Sequence, residues 1–291
     1  MNENLYPEND AYTPNLKSGL YLVATPIGNL RDISLRALDV LRGCDMIFCE
    51  DTRVTGKLLN AYQIKARMQP YNDHSDEARR QQIVDKVKEG GIIALVSDAG
   101  MPMISDPGYK LVNECAAQGV YVTTIPGATA PLCALQLSAM PTDKFCFLGF
   151  LPNKAKARQD VLQKWENVDA TLVAFESAGR LSASLSDIGA VFGTRQVAVI
   201  REITKLYEEV KRGTSAELVE YYAQNGKPKG EIVLVIAPPE EKAYSSDDVK
   251  DMIRTALKTM KVKDAARDVA QKTGLKMSDL YDVALAVSKE E

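Results

Sequence analysis

Residues 96–108 read VSDAGMPMISDPG, a loop with two aspartates, two glycines and two prolines that closes the apolar run Ile92-Ile93-Ala94-Leu95-Val96. A short continuous apolar run bounded by turn residues reads as a strand buried on both faces, as in parallel sheets. Ligands of open α/β sheets sit beyond the carboxyl ends of such strands. The loop therefore reads as a ligand holder, with Asp98 just past the strand, Gly100 allowing close backbone approach, and Pro102 and Pro107 stiffening the chain.

Working outward, Leu20–Ala24, Met46–Cys49, Ile92–Ser97 and Val120–Ile125 read as strands. Between and after them lie helical patterns. Ser34–Arg42 has Leu35, Leu38 and Leu41 on one face and Asp32 or Ser34 as its cap; Asp76–Glu89 turns Ile83 and Val87 inward and stops at Gly90. Tyr109–Gln118 and Ala130–Ala139 complete a βαβ series, which predicts a largely parallel sheet. After Met140-Pro141-Thr142 the rhythm changes to FCFLGFL, a basic linker Pro152–Arg158, then TLVAFES, QVAVIREI and EIVLVIA. Richer β-branching and less regular alternation predict a second α/β domain with a mixed sheet. The remainder is helical: Asp247–Thr259, then two helices flanking Thr273-Gly274 in a helix-turn-helix-like pair. The expected division is a flexible tail over 1–18, an α/β domain over 19–141, a second α/β domain over 142–240 and a helical appendage over 241–291.

A length of 291 residues suits more than one domain, and 45% hydrophobic with 26% charged residues suits a folded core. No apolar run approaches the roughly 20 residues of a membrane span. The first 18 residues lack the basic start and apolar stretch of a signal peptide. Five cysteines without CxxC spacing read as small buried hydrophobes of a reduced, cytoplasmic protein. His74 is the sole histidine and reads as a capping or surface residue, so neither a histidine zinc cage nor a Ser-His-Asp triad is expected, and no metal. A net charge of −3 denies the whole molecule the field of a general nucleic-acid binder. Any RNA contact must use local basic patches, such as the six basic residues between Lys258 and Lys276.

The Rossmann fingerprint is absent after the first strand. Instead Thr25-Pro26-Ile27-Gly28-Asn29-Leu30 and Ile125-Pro126-Gly127-Ala128-Thr129-Ala130 join the Asp98 loop at three strand ends, an arrangement that favours one common ligand site. TPIGNL, VSDAGMPMISDPG, IPGATA, FESAGRL, REITKLYEE and GEIVLVI follow one another in an order that resembles the ribosomal small subunit methyltransferase I family. That family has the tetrapyrrole-methylase fold of S-adenosylmethionine enzymes. The resemblance implies 2′-O-methylation of a cytidine ribose in the decoding region of 16S ribosomal RNA, two α/β domains with the cofactor in the cleft between them, and a homodimer. Met101 and Met103 stand where the family more often has small residues, which should alter packing around the cofactor without abolishing binding.

Carried over by the resemblance, cofactor contacts fall on Pro26, Ile27, Asp98, Ala99, Gly100, Met101, Thr129 and Ala130, with Ser177, Gly230 and Glu231 from the second domain. A ribose hydroxyl is a weak nucleophile, so a general base or polarising cation is expected. Asp106 in the Asp98 loop, Glu50 and Asp51 in CEDTR, Glu176, and Glu202 with Lys205 in REITK are the candidates. Arg53, Arg180 and Arg201 suit phosphate clamps or structural ion pairs. Lys154, Lys156, Arg158, Lys261, Lys263 and Arg267 are the remaining expected RNA contacts. With one tryptophan and six phenylalanines the chain shows no aromatic-rich stacking motif, which points to a small ribosomal subunit as substrate in preference to naked RNA. Two alternatives remain open at this level: a precorrin-type tetrapyrrole methyltransferase, and a non-catalytic ribosome-assembly RNA-binding protein.

Overall fold

Strands β1 (Gly19–Val23), β2 (Met46–Cys49), β3 (Met68–Pro70), β4 (Ile92–Val96) and β5 (Val122–Ile125) form an all-parallel sheet in the order β3-β2-β4-β1-β5. The computed structural model describes residues 15–72, 77–240 and 245–290, so His74, Asp76 and most of the expected tail lie outside the described residues. Helices α1 (Leu35–Gly43), α2 (Thr52–Ala61), α3 (Glu77–Lys88), α4 (Tyr109–Ala117) and α5 (Ala130–Leu137) complete this lobe.

The strand period of two is visible in β4. Ala94 and Val96 pack with Leu38, Leu41 and Leu59 on the α1–α2 side, while Ile93 and Leu95 pack with Ile83, Val84 and Leu111 on the α3–α4 side. Each fully buried valine, leucine or isoleucine among them contributes about 1.5–3 kcal/mol. Ser34, not Asp32, caps α1, its Oγ accepting from Ala37 N at 3.1 Å. The sequence predicts no element over 50–75, yet α2 and β3 lie there. β3 is a three-residue edge strand ending in proline with no buried residue, so it carries no apolar run.

The second lobe contains β6 (Phe145–Phe150), α6 (Ala155–Gln163), β7 (Thr171–Ser177), α7 (Leu181–Phe192), β8 (Gln196–Arg201), β9 (Glu209–Thr214), α8 (Ser215–Asn225) and β10 (Glu231–Ile236). Its sheet runs β6-β7-β10-β8-β9, with β6 and β7 parallel and the other pairs antiparallel, a mixed sheet as expected. The supposed basic linker is largely helix, because Lys154 is the N-cap of α6. Leu172, Ala174, Val199 and Leu234 face Leu162, Leu185, Ile188 and Leu218 of the lobe's own helices. The opposite face, with Val173, Ala198, Ile200, Val233 and Val235, packs on Ile27 and on Ala134 and Leu135 of α5. That apolar layer joins the lobes and places the start of β10 opposite the first lobe's loops.

The chain divides into two compact units, Met1–Pro239 and Glu240–Glu291. The second comprises α9 (Ser246–Leu257), α10 (Val262–Thr273) and α11 (Met277–Glu290) around its own core of Val249, Ile253, Ala265, Val269, Leu280 and Ala284. Among the described residues no helix is long and apolar enough to cross a membrane.

Candidate functional site

Because β4, β1 and β5 are neighbours, the loops after them emerge side by side. Thr25 N donates to Gly100 O at 2.9 Å and Gly100 N to Thr25 O at 3.0 Å, which pins the first loop to the second. Thr25 Oγ1 adds a bond to Ser97 O at 3.2 Å, and Ser97 Oγ one to Gly100 O at 3.2 Å. Gly100 sits at φ +86°, and a Cβ there would lie 3.3 Å from Ile27 Cγ2, so the backbone itself forms the wall. Asp98 Oδ1 accepts from the main-chain N of Asp51 at 3.1 Å, which ties this carboxylate to the start of α2.

These loops enclose a cavity of about 360 Å³ with the carboxyl end of β7 and the start of β10. Ile27, Asp98, Ala99, Gly100, Met101, Thr129, Ala130, Ser177, Gly230 and Glu231 all line it, whereas Pro26 does not. Ile104, Phe150, Phe175 and Val233 make most of the remaining wall hydrocarbon. Sequence reasoning missed Phe150 and Phe175. Both lie in apolar strand runs that would be written identically for core positions.

The candidate proton-transfer residues separate by environment. Asp106 lines the cavity half-buried, and its pKa is pushed up to about 6, chiefly by burial and then by the negative charges of Glu50 and Asp98, against a hydrogen bond from Ser97. Glu50 is itself raised by burial and by Asp98 and Asp51. Glu176 reaches the lining, but its carboxylate is committed: Arg180 Nη2 lies at 2.6 Å, Ser177 N donates at 2.6 Å, and Ser184 Oγ donates from α7. It braces the β7–α7 turn.

Glu202 and Lys205 stand outside the lining and act on it. Lys205 Nζ bonds Glu202 Oε1 at 3.0 Å and Glu231 Oε2 at 2.9 Å, while Glu202 Oε1 also accepts from Glu231 N at 2.9 Å. Burial opposes the charge on Lys205, but its bonds to Glu231 and Glu202 outweigh it and raise the pKa, so this lysine is a cation and not a base. Gly28 admits the Lys205 stem: a Cβ there would fall 2.5 Å from Lys205 Cγ.

The expected RNA contacts divide similarly. Arg158, contrary to expectation, is withheld from RNA: it is only 3% exposed, pairs with Asp187 at 2.5 Å and donates to Pro152 O at 3.0 Å. Its place on the inward face of α6, invisible while 152–158 read as a linker, makes it structural. Arg180 braces Glu176, Ser177 and Leu151 O. Arg201 pairs with Glu209 at 3.2 Å and Lys229 O at 3.2 Å. Arg53, paired with Asp51 at 2.6 Å, remains exposed, as do Lys154 and Lys156. Lys261, Lys263 and Arg267 are exposed on the helical unit.

Residues 19–219 match the family model of Tetrapyrrole (Corrin/Porphyrin) Methylases, and residues 244–288 match that of the RsmI C-terminal HTH domain. A relative from Erythrobacter litoralis named ribosomal RNA small subunit methyltransferase I is 50% identical over 278 residues, 96% of this chain and 98% of that protein. The protein of that name from Escherichia coli O157:H7 is 42% identical over 276 residues, 93% of this chain and 96% of its own. Similar solved structures include a diphthine synthase (TM-score 0.58, 18% identity, 75% of this chain, 89% of that one). Another is uroporphyrin-III-C-methyltransferase from Thermus thermophilus (TM-score 0.54, 19% identity, 76% and 94%). At such identities they establish the shared two-lobed methylase fold.

Proposed function

From the premise that this chain belongs to the ribosomal RNA small subunit methyltransferase I family of tetrapyrrole methylases, we propose that it transfers a methyl group from S-adenosylmethionine to small-subunit ribosomal RNA. The acceptor in this reading is the ribose 2′-hydroxyl of a cytidine in the decoding region of 16S RNA. The observation that carries it is the convergence of residues from six segments on one cavity that also contains Asp106.

The cavity's residues fit the cofactor. Its volume lies within the roughly 300–1,000 Å³ typical of small-molecule sites. Glycine-walled backbone and hydrocarbon suit a purine, and Asp98 and Glu231 suit a ribose hydroxyl and an ammonium group. S-adenosylmethionine bound there would supply an electrophilic methyl group on a cationic sulfur. Ile27, Met101, Phe150 and Phe175 exclude water, and the Glu202–Lys205–Glu231 triad holds the Gly230–Glu231 wall in place. With the cofactor bound, Asp106, ionised at neutral pH, would accept the proton of the acceptor hydroxyl, a contribution of about 10²–10⁴-fold. Exposed Arg53, Lys154, Lys156, Lys261, Lys263 and Arg267 meet RNA phosphates. The working form is a cytoplasmic homodimer, checked by sedimentation.

Labelled methyl transfer into small subunits and into naked 16S RNA, followed by mapping of 2′-O-methyl positions, tests this reading. A single modified decoding-region cytidine, formed faster in subunits, is expected. Methylation of a base, or none, would refute it.

A further inference from the structure

The 202–208 connection between β8 and β9 carries two adjacent apolar side chains outward, Leu206 at 89% and Tyr207 at 68% exposure. Isolated exposed hydrophobics are ordinary. Here the backbone beneath them is held from several sides. Lys205 N donates to Glu202 O at 3.0 Å, Glu208 N to Lys205 O at 3.1 Å, Thr204 N to Glu208 Oε2 at 2.7 Å, and Asn29 N to Thr204 Oγ1 at 3.1 Å. Glu202 and Thr204 have φ of 52° and 65°, left-handed conformations that persist only where the surroundings over-determine them. Lys205 Nζ reaches Glu231 on the cavity lining, so this connection is tied directly to a residue of the cavity wall.

We propose that Tyr207, with Leu206 beside it, is a stacking platform for an unpaired base of the RNA next to the acceptor nucleotide. The proposal rests on the methyl-transfer reading above, since a polymeric acceptor must cross the rim of a cavity sized for a small molecule. Charge favours a base over a phosphate as occupant. Lys205 is paired with Glu202 and Glu231, and Arg201 with Glu209, so the tip offers aromatic and aliphatic surface where its neighbouring cations are already neutralised. Aromatic faces bind splayed bases without sequence readout and without counterion release.

The test compares wild type, Tyr207→Ala and Tyr207→Phe. It measures methylation of small subunits across a salt series, cofactor affinity by calorimetry, sedimentation, and direct binding of an oligonucleotide carrying a fluorescent base. Tyr207→Ala should raise KM for the subunit about 5- to 150-fold. Turnover, cofactor affinity and the salt slope should be unchanged, and Tyr207→Phe should behave as wild type. An unchanged KM in Tyr207→Ala, a deficit shared by Tyr207→Phe, or dissociation of an oligomer by Tyr207→Ala would overturn the platform. Wild-type binding with base quenching lost only in Tyr207→Ala, but without methylation, would uphold the platform and remove the catalytic reading. Absence of wild-type RNA binding would remove both.

Discussion

Thr25 and Gly100 form an antiparallel bridge, exchanging both main-chain hydrogen bonds at 2.9 and 3.0 Å, although they belong to loops that leave different parallel strands. The bridge makes one rigid floor from two loops. It requires the left-handed backbone that Gly100 provides at φ +86°.

Gly100→Ala should therefore destabilise the fold by about 1–2 kcal/mol, the cost of placing an L side chain in that conformation. The added methyl group crowds Ile27 Cγ2 at 3.3 Å, so cofactor affinity should fall as well. Urea unfolding and calorimetry with S-adenosylmethionine measure the two effects. Unaltered affinity would show that the bridge does not shape the cavity.

As the base of the proposed reaction, Asp106 should contribute in opposite directions to stability and activity. Its folded pKa, about 6, exceeds the unfolded value of about 4, so the native state binds the extra proton between them. Its ionisation destabilises the fold progressively from about pH 4 to about pH 6, and the penalty is complete above that. Asp106→Asn should match wild-type thermal stability at low pH and exceed it above pH 6. Wild-type turnover should rise with pH to a plateau above about 6, and the variant should lose about 10²–10⁴-fold. A flat pH–rate profile would remove Asp106 as the base.

Arg158 is buried against Asp187 and anchors Pro152 O. Arg158→Ala strands a buried carboxylate and should cost about 3–5 kcal/mol. Lys156→Ala, at an exposed pair with Asp160, should cost no more than about 0.5 kcal/mol. Comparable urea midpoints for the two variants would contradict the structural role of Arg158.

Replacing Lys261, Lys263 and Arg267 together with alanine should weaken RNA binding and flatten its salt dependence by about 2–3 units of log–log slope if each meets one phosphate. Cofactor affinity should not change. Filter binding across a salt series gives the slope, and an unaltered slope would exclude these cations from the interface.

Local pattern was enough for much of this molecule. The apolar run 92–96 between turn residues and the three loops at strand ends are properties of short segments, readable from hydrogen-bonding capacity and hydrophobic period alone, while the choice of Ser34 over Asp32 as the α1 cap needed the structure. The same local cues mark Asp98 and Gly100, because loops at the carboxyl ends of adjacent parallel strands must emerge together, whereas Thr129 is named only through the family resemblance. Other features depended on residues far apart in the chain. Arg158 and Lys156 are both basic side chains in one short stretch, but the inward face of α6 buries the first beside Asp187 and leaves the second in water. Asp106 and Glu176 are both carboxylates on the lining, yet Arg180, Ser177 and Ser184 claim Glu176, while burial and Glu50 raise the proton affinity of Asp106. Burial and electrostatic neighbours are sums over the folded surroundings, so composition and spacing could nominate these groups but only three-dimensional packing could assign them different roles.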